Sequence, residues 1–246
     1  MKQAMIFAAG LGTRLKPLTD TMPKALVPVG GNPLLYHVAM KLKAAGFDEL
    51  VINVHHFPDS IIGYVHDQKD FGMKVSFSDE RDFLRETGGG ILYARKKLEG
   101  APFLVHNVDI LSDLDIGWFL SQADHDAVAN ILVSDRKTQR YLLFDEDMRM
   151  VGWTNVATGE VRTPFAGLDP DKCRRLAFSG VHLISDRIFT IFDEDGWEGK
   201  FSIMDFYIEE CEKRIIHGIL PESLKLMDVG KVETLKEAGT FISTIK

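Results

Sequence analysis

An apolar run at the start of the chain, Ala4 to Ala9, passes straight into Gly10-Leu11-Gly12 and then a Pro-rich loop carrying two basic residues, Arg14 and Lys24. The run is too short for a buried helix and reads as a buried strand, so the loop begins at a strand end. Glycines let successive backbone N–H groups turn toward one point, and such nests bind anions, phosphate chains above all. Arg14 adds a planar fork for phosphate oxygens and Lys24 a mobile point charge. A strand feeding a polyphosphate loop requires a sheet whose strand ends open onto a cleft.

Two commoner phosphate motifs are excluded. A P-loop needs Gly-Lys-Ser/Thr after its second glycine, whereas Gly12 is followed by Thr13-Arg14. The dinucleotide fingerprint needs a third glycine at the position held by Leu15.

Downstream, segments alternate between strand and helix. Pro33 to Gly46 carries Leu34, Leu35, Val38 and Leu42 in a helical stripe ended by glycine, and Glu49 to Val54 is an apolar strand. Asp59 to Asp67 reads as a helix, Met73 to Phe77 as a strand, Gly90 to Leu98 as a helix, and Pro102 to His106 as a buried strand. This rhythm predicts an α/β fold with a doubly wound, mainly parallel sheet covered on both faces. Ligands in such sheets bind beyond the carboxyl ends of the strands. Short strand-like runs at Asp126 to Val133, Tyr141 to Phe144, Met150 to Trp153 and Gly159 to Arg162 predict a small antiparallel extension. Phe178 to Ile184 reads as a strand returning to the sheet, with helices over Ile203 to Arg214 and Val232 to Ile245.

With 36 acidic residues against 29 basic, the net charge of −7 does not suit a nucleic-acid binder. Cys173 and Cys211 have no metal-ligand spacing and are too few for a disulfide framework. No apolar stretch is long enough to span a bilayer, and because the chain runs directly into a core strand no cleaved signal peptide is expected. The expectation is a cytoplasmic protein without a membrane or nucleic-acid partner, monomeric or homodimeric.

Asp109, which follows the strand-like run Pro102 to Val108, is placed to hold Mg²⁺ through oxygen. Asn53-Val54-His55-His56 ends the second strand, which makes His55 a candidate for the cleft border. Glu86-Thr87-Gly88-Gly89-Gly90 opens a helix, where glycines would let a flat base lie against backbone.

The pattern Gly10-Leu11-Gly12-Thr13-Arg14-Leu15, Pro17 to Thr19, Pro23 to Leu26 and Pro28-Val29 resembles the signature of the sugar-1-phosphate nucleotidyltransferases. With Glu86 to Ile91, Ala101 to Leu104, Phe178 to Gly180 and Leu226 to Gly230, it is most similar to the N-acetylmuramate-1-phosphate uridylyltransferases. Mannose-1-phosphate guanylyltransferases come second. The resemblance implies a Rossmann-like, GT-A-like fold and a single catalytic domain over 1–246, lacking the C-terminal β-helix of many members. It implies that a nucleoside triphosphate and a sugar 1-phosphate give a nucleotide sugar and pyrophosphate with Mg²⁺. Arg14 and Lys24 would then be catalytic, with Ala8, Ala9, Gly10, Leu11, Gly12, Thr13, Gly88 and Gly89 on the nucleotide. Asn107, Gly180 and His55 would face the sugar, and Asp109 and Asp228 the metal.

The chain departs from the family at Val108, where glycine is usual, at Lys231, where threonine is usual, and in having no Glu-Lys-Pro in its middle region. A cytidylyltransferase remains open, as does a glycosyltransferase using Asp113-Leu114-Asp115 for metal. So does a nucleotide sensor without activity.

Overall fold

The computed structural model describes residues 2–245. Its first half alternates as the apolar periodicity requires. β1 (Gln3–Phe7) is followed by a hairpin of β2 (Pro28–Val29) and β3 (Asn32–Pro33), then α1 (Leu34–Ala44), β4 (Glu49–Val54), α2 (Pro58–Asp67) and β5 (Lys74–Asp79). Next come α3 (Glu86–Tyr93), α4 (Arg95–Leu98), β6 (Phe103–Asn107), β7 (Ile110–Ser112) and α5 (Ile116–Ser121). The second half holds β8 (Ala129–Ser134), β9 (Arg140–Phe144), β10 (Met150–Asn155), β11 (Glu160–Arg162) and β12 (Arg174–Ile184). It ends with α6 (Ile188–Glu194), α7 (Ile203–Glu210), β13 (Ile216–Ile219), β14 (Leu226–Asp228) and α8 (Val232–Thr244).

Strands β5, β4, β1 and β6 pair in parallel, in that order. The sheet then turns antiparallel: β12 pairs with β6, and both β8 and β9 pair with β12. β10 and β11 continue from β9, and β13 joins β8 in parallel. The mixed, mainly parallel sheet with an antiparallel extension is as expected. The extension prolongs the one large sheet because β12 is long enough to pair with β9 through its first residues and β6 through its last.

Side chains alternate across the strands, so both faces are buried. Ile6, Ile52, Leu104 and Val181 pack on one face with Leu35, Ile61, Phe119 and Ile242 from the helices. Met5, Val51, Val105 and Ile131 pack on the other with Ile91, Phe192 and Phe206. Helix boundaries differ in places from expectation: the stretch Gly90 to Leu98 breaks at Ala94 between α3 and α4, and α7 stops at Glu210, ahead of Arg214. No helix among the described residues is long and apolar enough to cross a membrane.

Candidate active site

The Gly-x-Gly loop is shaped by backbone and held by side chains from elsewhere. Gly12 sits at φ 64°, a left-handed conformation open to glycine. A Cβ there would also lie 2.8 Å from Thr19 Cγ2. Its carbonyl accepts from the amide of Leu15 at 2.8 Å and from the Thr19 hydroxyl at 2.9 Å. His56 bonds through Nε2 to the Thr19 carbonyl at 3.1 Å, tying the loop to the end of β4. Arg14 projects from the turn Thr13–Leu15 into a cavity of 340 Å³ that also meets Gly10, Gly12, Lys24 and Gly230.

Asn53, on β4, is the internal brace of this region. Its Oδ1 accepts from the amides of Ala8 at 2.7 Å and Ala9 at 3.3 Å. Its Nδ2 donates to Glu80 Oε1 at 2.9 Å, and Glu80 Oε2 accepts from the Arg85 amide at 3.2 Å. Glu80 is fully buried, and burial pushes its carboxyl pKa up.

The two aspartates meet through a pair of very short strands. β7 and β14 are antiparallel with Asp228 opposite Ile110, and the Val229 amide donates to the Asp109 carbonyl at 2.8 Å. Asp109 forms an ion pair with Lys24. Burial, then the neighbouring Asp109 charge, raise the Asp228 carboxyl pKa above the usual range, against the pull of Lys24, Arg14 and Arg136. Asp228 Oδ1 is buried without a hydrogen-bond partner. An orphaned carboxylate oxygen beside a second carboxylate is a hard-donor arrangement that fits a divalent cation.

A larger cavity of 380 Å³ adjoins the first and shares Gly10, Lys24 and Leu84 with it. Ala8, Ala9, Asn107 and Asp109 face it from the strand ends, and Glu86, Thr87 and Ser202 from helix starts. The two cavities together bring Ala8, Ala9, Gly10, Leu11, Gly12, Thr13, Arg14, Lys24, Asn107 and Asp109 into one cleft.

Gly88 and Gly89 do not line it. Both amides donate to the Phe201 carbonyl, at 2.9 and 3.1 Å. A Cβ on Gly88 would lie 2.3 Å from the Phe201 ring, and one on Gly89 2.3 Å from the Gly199 carbonyl oxygen. These glycines let α3 lie against the segment entering α7. The cavity wall is instead Glu86, held at φ 61°, and Thr87, whose hydroxyl oxygen accepts from the Ile203 amide at 2.9 Å.

His55 likewise turns aside, bonding through Nδ1 to the Glu80 carbonyl at 2.7 Å. Gly180 lies under the cleft floor at φ 77°, where β12 shifts register against β8; a Cβ there would lie 2.5 Å from Ile110 Cγ1 and 3.3 Å from Asn107 Nδ2. Asp113 and Asp115 serve the backbone: Asp113 accepts from the Lys225 amide at 2.9 Å, and Asp115 caps α5 by accepting from the Trp118 amide at 3.0 Å. The segments Asn53 to His56 and Glu86 to Gly90 do border the cavity, but through Asn53, Glu86 and Thr87 rather than His55, Gly88 and Gly89, and Leu84 and Ser202 on its wall carry no sequence signal. Asn53 also stands out as a polar residue interrupting the apolar run Leu50 to Val54.

Residues 3–146 match the family model described as nucleotidyl transferase. The N-acetylmuramate alpha-1-phosphate uridylyltransferase of Caulobacter vibrioides is 34% identical over 229 residues, covering 91% of this chain and 90% of that protein. Mannose-1-phosphate guanylyltransferase 1 of Arabidopsis thaliana is 34% identical over 137 residues, 54% of this chain and 38% of that one. The crystal structure of HddC from Yersinia pseudotuberculosis complexed with GMP-PN superposes with a TM-score of 0.77 at 25% identity, over 98% of this chain and 100% of that one. With the glycine loop, Arg14, Lys24 and paired aspartates gathered at one sheet edge, these matches make the chain a member of the nucleotidyl transferase family.

Proposed function

We propose that this enzyme joins a nucleoside triphosphate to a sugar 1-phosphate and releases pyrophosphate, with UTP and N-acetylmuramate 1-phosphate as the preferred pair. The convergence of Arg14, Lys24 and Asp109 on two adjoining cavities, with Asp228 on the strand paired beside Asp109, carries the reaction class. The likeness to a uridylyltransferase across 91% of the chain supports the substrate pair.

A phosphate oxygen of the sugar 1-phosphate attacks the α-phosphorus. The bond from that phosphorus to the bridging oxygen breaks, and pyrophosphate leaves with the electron pair. The nucleophile is already anionic at neutral pH, so no general base is needed; repulsion between two polyanions opposes the reaction. The residues therefore position and neutralise. Amides of the Gly10–Thr13 loop and the Arg14 fork hold the β- and γ-phosphates and the departing pyrophosphate. Lys24, already balanced against Asp109, steadies the α-phosphate as charge grows there. Asn53 keeps the Ala8–Ala9 backbone in place beside the nucleoside. Asp109 and Asp228 would hold Mg²⁺, which when bound supplies charge neutralisation to the phosphates.

GTP with mannose 1-phosphate is the second reading, favoured by the guanylyltransferase relative and the likeness to a structure complexed with GMP-PN. A glycosyltransferase centred on Asp113 and Asp115 has less support, since both carboxylates are engaged with backbone amides. The test is pyrophosphate release with Mg²⁺, crossing UTP, GTP, CTP and dTTP with N-acetylmuramate, mannose and glucose 1-phosphates. Turnover peaking with UTP and N-acetylmuramate 1-phosphate supports the first pair. A peak with GTP and mannose 1-phosphate replaces it with the second, and silence across the panel removes both.

A further inference from the structure

Two residues beyond the end of β8, the chain reaches Arg136. β8 runs antiparallel to β12, and β12 antiparallel to β6, so β8 and β6 end on the same edge of the sheet. Arg136 therefore leaves the sheet on the edge that carries Asn107 and Asp109. Its Nη2 donates to the Phe178 carbonyl at 3.0 Å. Phe178 lies two residues before Gly180, whose backbone abuts Ile110 and the Asn107 amide. The side chain is exposed, forms no ion pair among the described residues, and keeps most of its guanidinium donors for a ligand.

The cations that line the two cavities are Lys24 and Arg14. Lys24 is balanced by Asp109. Arg14 belongs to the cavity of the glycine loop, which the nucleotide phosphates occupy in the reading above. Arg136 stands past the end of β8, bonded to the Phe178 carbonyl of β12, the strand that also carries Gly180. A second polyanion entering beside the nucleotide needs its own counter-charge.

We infer that Arg136 is the acceptor-binding cation, its free guanidinium edge binding an oxyanion of the incoming sugar phosphate while Arg14 serves the nucleotide. This rests on the sugar-1-phosphate reading of the site. The oxyanion is either the phosphate monoester common to all such acceptors or a carboxylate carried by the sugar. A guanidinium fork suits both.

Steady-state pyrophosphate release by wild type, Arg136→Gln and Arg136→Lys tests it, with KM measured separately for nucleotide and acceptor. The expected result for Arg136→Gln is a rise in acceptor KM of about 10- to 100-fold, the loss of one charge-assisted hydrogen-bonded contact. Nucleotide KM stays within about twofold and the melting temperature is unchanged, because the substitution is at an exposed side chain. Arg136→Lys recovers part of the acceptor KM by keeping the charge.

N-acetylmuramate 1-phosphate and N-acetylglucosamine 1-phosphate separate the two sources of the oxyanion. A penalty on both assigns Arg136 to the phosphate, and a penalty on the first alone assigns it to the carboxylate. An unchanged acceptor KM overturns the inference. So does a joint rise of both KM values with a lower melting temperature, which would make the bond to Phe178 merely structural. If the wild-type protein releases no pyrophosphate with any acceptor, the nucleotidyltransferase reading itself fails, and this inference with it.

Discussion

The side-chain oxygen of Asn53 lies 2.7 Å from the amide nitrogen of Ala8, joining the end of β4 to the residue that leads into the glycine loop. The same oxygen reaches Ala9 at 3.3 Å, while Asn53 Nδ2 is held by buried Glu80. Replacing Asn53 with alanine strands two backbone donors and a carboxylate acceptor in the interior. The expected cost is about 1–3 kcal/mol of stability, together with a higher KM for the nucleotide. Chemical denaturation alongside steady-state kinetics checks this; an unaltered nucleotide KM would show that the brace does not reach the ligand.

Gly89→Ala is expected to harm the protein more than Gly88→Ala. The added methyl of the first meets a backbone carbonyl at Gly199 at 2.3 Å, while that of the second meets backbone only at the Ile203 nitrogen, 3.1 Å away, its closest contact being the Phe201 side chain. Overpacking of this kind costs about 1–3 kcal/mol. Thermal melts of the two variants give the order, and the reverse order would mean that α3 rests on this segment differently.

Asp115→Ala removes the cap of α5, worth about 1 kcal/mol. Its kcat is expected to match wild type, because its carboxylate faces the Trp118 amide. A collapse of kcat without loss of stability would revive the Asp-x-Asp metal site.

Acid is expected to weaken the fold through two buried histidines. Burial lowers the pKa of His106 from 6.5 to about 4 and that of His182 from 6.5 to about 3. Below 6.5 the unfolded imidazoles take up protons that the native ones refuse, so stability falls as pH drops from 6.5 toward 4. The slope approaches about 1.4 kcal/mol per pH unit for each histidine. Glu80 acts in the opposite sense, since its raised pKa lets the native state hold a proton longer. That contribution is common to wild type and His182→Phe, so urea titrations of both at several pH values isolate the histidine. The variant should lose stability less steeply, and equal slopes would contradict the assignment.

What was legible in the sequence was what short-range pattern encodes. Apolar runs such as Glu49 to Val54 marked strands, and the basic residues around the glycine turn marked a phosphate loop. Long-range pairing was not legible. Asn53 and Ala8 are 45 positions apart and carry no shared motif. The glycines of α3 are small because Phe201 and Gly199, far along the chain, press on them. Asp228 was placed with Asp109 only by the family resemblance, because the three-residue strands that pair there are too short for a periodic signal. Arg136 had a weaker signal, a basic residue just past an apolar run, whose meaning depends on the direction in which β8 crosses the sheet.

The most direct test of the whole site is pyrophosphate release by Arg14→Ala and Asp109→Ala beside wild type, each variant first shown by its melt to be folded. Loss of one such preorganised charged contact typically lowers turnover by about 10²–10³-fold. That fall, with the fold intact, is the predicted result for both. Near-wild-type turnover in either folded variant would contradict the assignment of the glycine loop and the aspartate strands to one catalytic centre.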